Sequence, residues 1–241
     1  MTSIIAHRGF AAKYPENTML AFQKALACGA DGIELDVQMT KDGVPVICHD
    51  EDISRTSNGV GYLKDYTYAE LCRLNFAHTF KGIWKKIPTL EEYATWVKET
   101  ALITNIELKT NIFTYDGLVP RVSEIISRHG LESRTIYSSF NHETIREIKR
   151  RQPEIPCGFL TDCRLLQPED YCRQRHVECY HPNYLHVTYE TVQACHACNI
   201  AVNPYTVDKP EDIQRFLSWQ TDGIITNNPA LALSCKIKQY G

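Results

Sequence analysis

Eight short β-branched runs, alternating strictly with amphipathic stretches, predict a TIM-type (β/α)8 barrel, an α/β fold whose barrel strands run parallel. The length agrees: the chain has 241 residues, and such a barrel takes about 250 in one piece. So does the first strand's end. An open doubly wound sheet carries a glycine-rich phosphate loop there, whereas this run ends in His7-Arg8-Gly9. Hydrophobic residues make up 43% and charged residues 23%, which suits a sizeable core and argues against disorder.

The elements follow in order. The first strand is 3–7, and Asn17-Thr18 marks the start of a helix over 18–28. The second strand is 32–38; Gly29 and Gly32 serve the tight turn before it, and Asp31 sits in that turn. After an interruption come a helix over 90–99, a strand over 102–108, a helix over 116–129 and a strand over 134–138. Helices over 141–151, 168–175, 190–197 and 210–219 then alternate with strands over 155–160, 178–184, 200–204 and 222–226. Pro210, with Glu211 and Asp212 in the first turn, is a good helix start. A last helix begins near Pro229.

The interruption lies between Val44 and Pro88. It holds a strand-like run over 44–48, a polar stretch with Ser57-Asn58-Gly59 and Gly61, and a helix around 68–74. No linker or low-complexity stretch separates it. The expectation is one domain, 1–241, with a small inserted segment after the second strand, at about 51–86, overhanging the active face.

The net charge of −3 argues against a general nucleic-acid binder and leaves room for a small anionic substrate. No signal peptide opens the chain and no apolar run approaches a transmembrane segment, so a cytoplasmic protein is expected. A homodimer is compatible with the sequence. Ten cysteines are scattered without a secreted framework. Cys195 and Cys198 flank His196 in a CxxC, but no second pair completes a zinc site; reduced, buried thiols are the reading.

Polar residues gather at strand ends, where a barrel builds its active site. His7 and Arg8 end the first strand, Glu34 and Asp36 lie in the second, and Glu107 and Lys109 end the third. Residues two apart on a strand share a face, so each pair projects together, and neighbouring strands bring the pairs close. Three converging carboxylates, Glu34, Asp36 and Glu107, repel unless protonated or holding a cation; oxygen donors favour Mg²⁺ or Ca²⁺. His7 and His49 can divide acid and base roles in phosphoryl chemistry, with Arg8 and Lys109 neutralising phosphoryl oxygens. His129, His142, His176 and His196 lie away from the strand ends and receive no role.

Several motifs, in order, carry a family resemblance. They are His-Arg-Gly at 7–9, Glu-Asn-Thr at 16–18, GADGIELDV at 29–37, His49-Asp50, IPTLEE at 87–92, IELK at 106–109, SSFN at 138–141 and DGIITNNP at 222–229. With these the chain resembles the glycerophosphodiester phosphodiesterase family from end to end. The resemblance implies a barrel with an insertion after its second strand, here Glu51 to Lys86, and hydrolysis of glycerophosphodiesters such as glycerophosphocholine or glycerophosphoethanolamine to glycerol 3-phosphate and an alcohol. It implies a divalent metal on Glu34, Asp36 and Glu107, catalytic His7 and His49, and a phosphate pocket containing Arg8 and Lys109. Glu16 falls near the active face in the same pattern, although a helix-cap role also suits it; Phe140 and Tyr205 are either substrate walls or rim packing.

Three departures bear on substrate preference. Tyr205-Thr206-Val207 replaces a common Trp-Thr-Val, Thr226-Asn227-Asn228-Pro229 replaces Thr-Asp-x-Pro, and Asn75-Phe76-Ala77-His78 replaces an Asp-Ala-Gly-like turn. A rival reading, an enzyme cleaving lysophospholipid-like diesters, would use Phe76, Phe80, Ile83 and Trp84 as an apolar lip. A non-catalytic binding barrel would be expected to have lost one of His7, His49, Glu34, Asp36 or Glu107, and all five are present.

Overall fold

The computed structural model describes residues 1–240. Parallel strands β1 (Ser3–His7), β2 (Gly32–Met39), β4 (Ile103–Leu108), β5 (Thr135–Ser139), β6 (Cys157–Thr161), β7 (Cys179–Pro182), β8 (Ala201–Val202) and β9 (Gly223–Thr226) form a nearly closed barrel in the order β8-β7-β6-β5-β4-β2-β1-β9. The short β3 (Pro45–Ile47) lies antiparallel on β2. The helices are α1 (Met19–Ala27), α2 (Tyr68–Leu71), α3 (Leu90–Val97), α4 (Leu118–Arg128), α5 (His142–Arg151), α6 (Pro168–Gln174), α7 (Tyr189–Ala197), α8 (Pro210–Ser218) and α9 (Pro229–Tyr240). None is long and apolar enough to cross a membrane.

Closure between β8 and β9 rests on single backbone bonds: Asp222 N–H to Val202 O, Ile225 N–H to Pro204 O, and Val207 N–H to Ile225 O. The seventh barrel strand is therefore shorter than the predicted 200–204. Pro204 has no N–H to give, and Asn203 turns its side chain to the buried His181. The predicted strand over 178–184 likewise stops at Pro182, and its last residues enter a 3₁₀ turn, Tyr184–His186. The helix expected around 68–74 is the single turn of α2.

The main core lies between the barrel wall and the helices, where Ile33, Leu35 and Val37 of β2 meet Phe22, Tyr93 and Val97. Inside the barrel polar side chains such as His181 and Asn203 pack beside Ile5. His181 fits only because Gly158 opposes it; a Cβ there would lie 2.6 Å from the ring. The segment after β3 has its own apolar cluster of Val46, Cys48, Ile53, Leu63, Leu71, Phe76 and Ile87. Phe76 is thus core rather than lip; Trp84 is exposed, and Phe80 and Ile83 are half-buried. Two capping boxes, Thr67 with Glu70 and Thr89 with Glu92, start α2 and α3. The IPTLEE motif is explained locally by the second. All ten cysteines are free; Cys195 is buried in the core, and His196 pairs with Asp222.

Candidate active site

Register brings the predicted groups together. His7 pairs with Glu34 across β1 and β2, and Asp36 with Glu107 across β2 and β4. The apolar residues of β2 face the helices, so Glu34, Asp36 and Gln38 take the other face. One carboxylate oxygen each from Glu34, Asp36 and Glu107 lies within 4.8 Å of the others. All three residues are buried. Asp36 Oδ1 has no hydrogen-bond donor, and Glu107 Oε1 has the Lys109 ammonium beside it at 3.0 Å.

The charges show the same incompleteness. Burial, then Asp36 and Glu107, push Glu34 well above the usual carboxylate range, and burial, then Asp36, raise Glu107. Burial pushes Asp36 up too, but Arg8 first, then His49, Lys109 and Asn17, outweigh it and hold Asp36 at about 2. Lys109 feels burial downward, but Glu107 and Asp36 together raise it, so it stays an ammonium. Three buried carboxylates at this spacing, with Asp36 Oδ1 lacking any donor, fit a hard divalent cation, which would fill that gap and relieve the repulsion.

Around this cluster each residue of two motifs has its own task. Arg8 sits at φ 54, its N–H donating to Glu34 at 2.9 Å, Nη1 to Glu16 at 2.8 Å, and Nε lying 3.3 Å from Asp36. Gly9 follows at φ 81; a Cβ there would lie 2.7 Å from the Ala21 backbone, so only glycine lets α1 come this close. Glu16 is taken up by Arg8 and Arg55. Asn17, itself at φ 54, donates to Asp36 at 2.8 Å, and Thr18 caps α1.

The histidines are tied through the same atom. His7 Nδ1 lies 2.8 Å from Asn227 Oδ1, and His49 Nδ1 lies 2.5 Å from Asp50 Oδ1. Burial, reinforced by Arg8, lowers His7 to about 4, so its ring is neutral near pH 7. His49 Nε2 is 3.2 Å from Lys109 Nζ. Phe140 and Tyr205 meet edge to face at 5.9 Å, and the Tyr205 hydroxyl donates to Thr161 O. The histidines left without a role have structural partners in three cases: Glu91 for His129, Leu160 O for His142, and Asp222 for His196.

Sequence reasoning missed several supports. Arg55 donates to both Glu16 and Asp50, and Gln38 sets its amide nitrogen within 3.1 Å of the carbonyls of Cys48, His49 and Asp50. Asn17 was read only as a cap neighbour. A glutamine at a buried inward position of β2 was the available signal for Gln38; Arg55, in a polar surface stretch, offered none.

The model of the glycerophosphoryl diester phosphodiesterase family matches residues 7–231. A glycerophosphodiester phosphodiesterase of Bacillus altitudinis is 42% identical over 241 residues, covering 98% of each chain. Another, from Caldanaerobacter subterraneus subsp. tengcongensis, is 40% identical over 232 residues and covers 95% of each. Among solved structures, an Oleispira antarctica phosphodiesterase in complex with the product sn-glycerol-3-phosphate superposes with a TM-score of 0.87 at 25% identity, covering 98% of this chain and 96% of that one. With the match running through His7, the carboxylate cluster and the last barrel strand, the chain belongs to the glycerophosphoryl diester phosphodiesterase family and is a phosphoric diester hydrolase.

Proposed function

We propose that the protein hydrolyses small glycerophosphodiesters, such as glycerophosphocholine and glycerophosphoethanolamine, to sn-glycerol 3-phosphate and an alcohol, using Mg²⁺ or Ca²⁺. The observation that carries this is the buried trio Glu34, Asp36 and Glu107, with Asp36 Oδ1 lacking any donor, beside two histidines whose Nδ1 atoms are already engaged. The trio would hold the cation, which supplies positive charge to the phosphoryl oxygens.

Arg8 and Lys109 orient the phosphate and offset its charge. His7, with Nδ1–H given to Asn227, keeps the Nε2 lone pair and takes the proton of the attacking nucleophile. His49, held through Nδ1 by Asp50 at 2.5 Å, delivers a proton to the leaving alkoxide. Glu16 acts through Arg8 by holding the guanidinium. Phe140 and Tyr205 wall the pocket on the side of the alcohol. The inserted segment, at about 51–86, belongs to the same domain and completes the site through Arg55.

The test is glycerol 3-phosphate release from both diesters after chelation and re-addition of Mg²⁺ or Ca²⁺, with Glu34→Ala alongside. Metal-restored release, abolished in the variant, is the expected result. Failure of both small diesters with choline freed from lysophosphatidylcholine, which leaves lysophosphatidate in place of glycerol 3-phosphate, would move the substrate to lipid. Failure of all three would overturn the assignment.

A further inference from the structure

His7 is not oriented by its own strand alone. Asn227, at the end of β9, is gripped from behind by Asp208 on the loop between β8 and α8. Asp208 Oδ2 accepts from Asn227 Nδ2 at 2.7 Å. Its Oδ1 accepts from the Asn227 backbone N–H at 2.8 Å and from the Thr226 hydroxyl at 3.0 Å. A carboxylate only accepts, so the edge of the Asn227 amide facing it must be the NH₂, which turns the amide oxygen to His7. An acceptor 2.8 Å from Nδ1 requires the proton there. In the neutral ring the lone pair is then on Nε2, the atom 3.9 Å from Glu34.

We propose that Asp208 and Asn227 are positioning residues for this reaction: carboxylate to amide to imidazole, they set the tautomer of His7 and leave Nε2 able to take a proton. This rests on His7 being the proton acceptor proposed above. A merely structural tie would tolerate either direction of these bonds. Tautomer control does not.

The test follows from that polarity. In Asp208→Asn the new amide keeps its oxygen on the two Oδ1 donors only by turning its NH₂ toward Asn227. The Asn227 amide must then flip, presenting NH₂ to His7 and moving the ring proton to Nε2. The expected result is a fall in kcat of about 10- to 100-fold, with KM and thermal midpoint little changed. The double variant Asp208→Asn/Asn227→Asp restores an acceptor at His7 and a donor behind it, and should recover most of the lost kcat. Long-range ¹H–¹⁵N correlations of the metal-free protein should show Nδ1–H in the parent and double variant and Nε2–H in Asp208→Asn.

His7→Ala separates the two ideas. Full activity in His7→Ala would remove the base on which the inference rests. An inactive His7→Ala beside an Asp208→Asn of undiminished kcat and unchanged tautomer would overturn the relay alone. So would a double variant as slow as Asp208→Asn.

Discussion

His7 and His49 present the same arrangement of atoms on unlike supports. His7 stands on β1, and its Nδ1 partner comes from β9, the strand beside it in the barrel. His49 follows β3, its partner is its chain neighbour Asp50, and that carboxylate is steadied by Arg55, half of whose side chain is exposed. The backbone beneath His49 is nevertheless anchored in the barrel, because Gln38 of β2 reaches up to three successive carbonyls. One histidine is thus a product of barrel closure. The other depends on a segment folding down onto the barrel, pegged there by the β3 ladder and by the buried Gln38 amide.

The largest effects should not distinguish the two. His7→Ala and His49→Ala are each expected to lower kcat by about 10²- to 10⁴-fold, the usual worth of a general acid or base, measured as glycerol 3-phosphate release at saturating metal. A variant retaining near-parental kcat would remove that histidine from the chemistry. Gln38→Ala comes next and breaks the symmetry. It strands buried carbonyls and the Tyr115 hydroxyl, so a stability loss of about 1–3 kcal/mol is expected. A tenfold or larger drop in kcat should accompany it, on the order expected for a support residue. The same variant should leave the His7 ring resonances unshifted, because Gln38 has no bond to the Asn227 side; a shift there would show that the two supports are coupled.

How much of this was legible depended on distance along the chain. Glu34 with Asp36, and Glu107 with Lys109, could be placed because a two-residue period alone decides which face they share, and parallel register does the rest. The alternation of β-branched runs with amphipathic stretches likewise carried all eight barrel strands, apart from the shortening at Pro182 and at Pro204. The supports were not legible, because they join remote positions. Arg55 reaches Glu16 across 39 residues, and His7 reaches Asn227 across 220. Only closure of the barrel brings the second pair together. Asn227 looked like a lost charge at the end of a strand; its value appears only with Asp208 behind it. The IPTLEE motif erred in the opposite direction, since Thr89 and Glu92 are accounted for by the start of α3.

A smaller effect probes the barrel side through pH. His181 is wholly buried between Gly158 and Asn203, and burial lowers it to about 3 from the ordinary 6.5. The unfolded chain therefore takes up the proton first as pH falls. Stability contributed by the neutral ring is present above about pH 6.5 and lost between there and about pH 3. The slope is at most about 1.4 kcal/mol per pH unit, and His7, lowered to about 4, adds to the same window. Urea unfolding at about pH 7 and about pH 5.5 should show the loss, and His181→Gln should reduce it while leaving His7 in place. A variant with the full parental slope would take His181 out of the account.

The smallest effect on stability, and the sharpest on the comparison, belongs to Arg55. Its bonds to Asp50 and Glu16 are exposed on one side, so Arg55→Ala should change stability by less than about 1 kcal/mol. Its effect on activity is expected to be larger than that figure suggests. Asp50 would lose one of the groups that fix its carboxylate against His49, and Glu16 would lose one of its two arginines. A fall in kcat of about tenfold is expected, and added salt should narrow the gap by weakening the parental enzyme, since exposed pairs are screened. Arg55→Lys should not restore activity, because one ammonium cannot span two carboxylates as the planar guanidinium does. If Arg55→Ala instead matches the parent at every salt concentration, His49 is held in place without Arg55, by the barrel contacts of Gln38 and Lys109 and by Asp50. The two histidines would then both be barrel residues in the energetic sense, and the surface segment merely a cover.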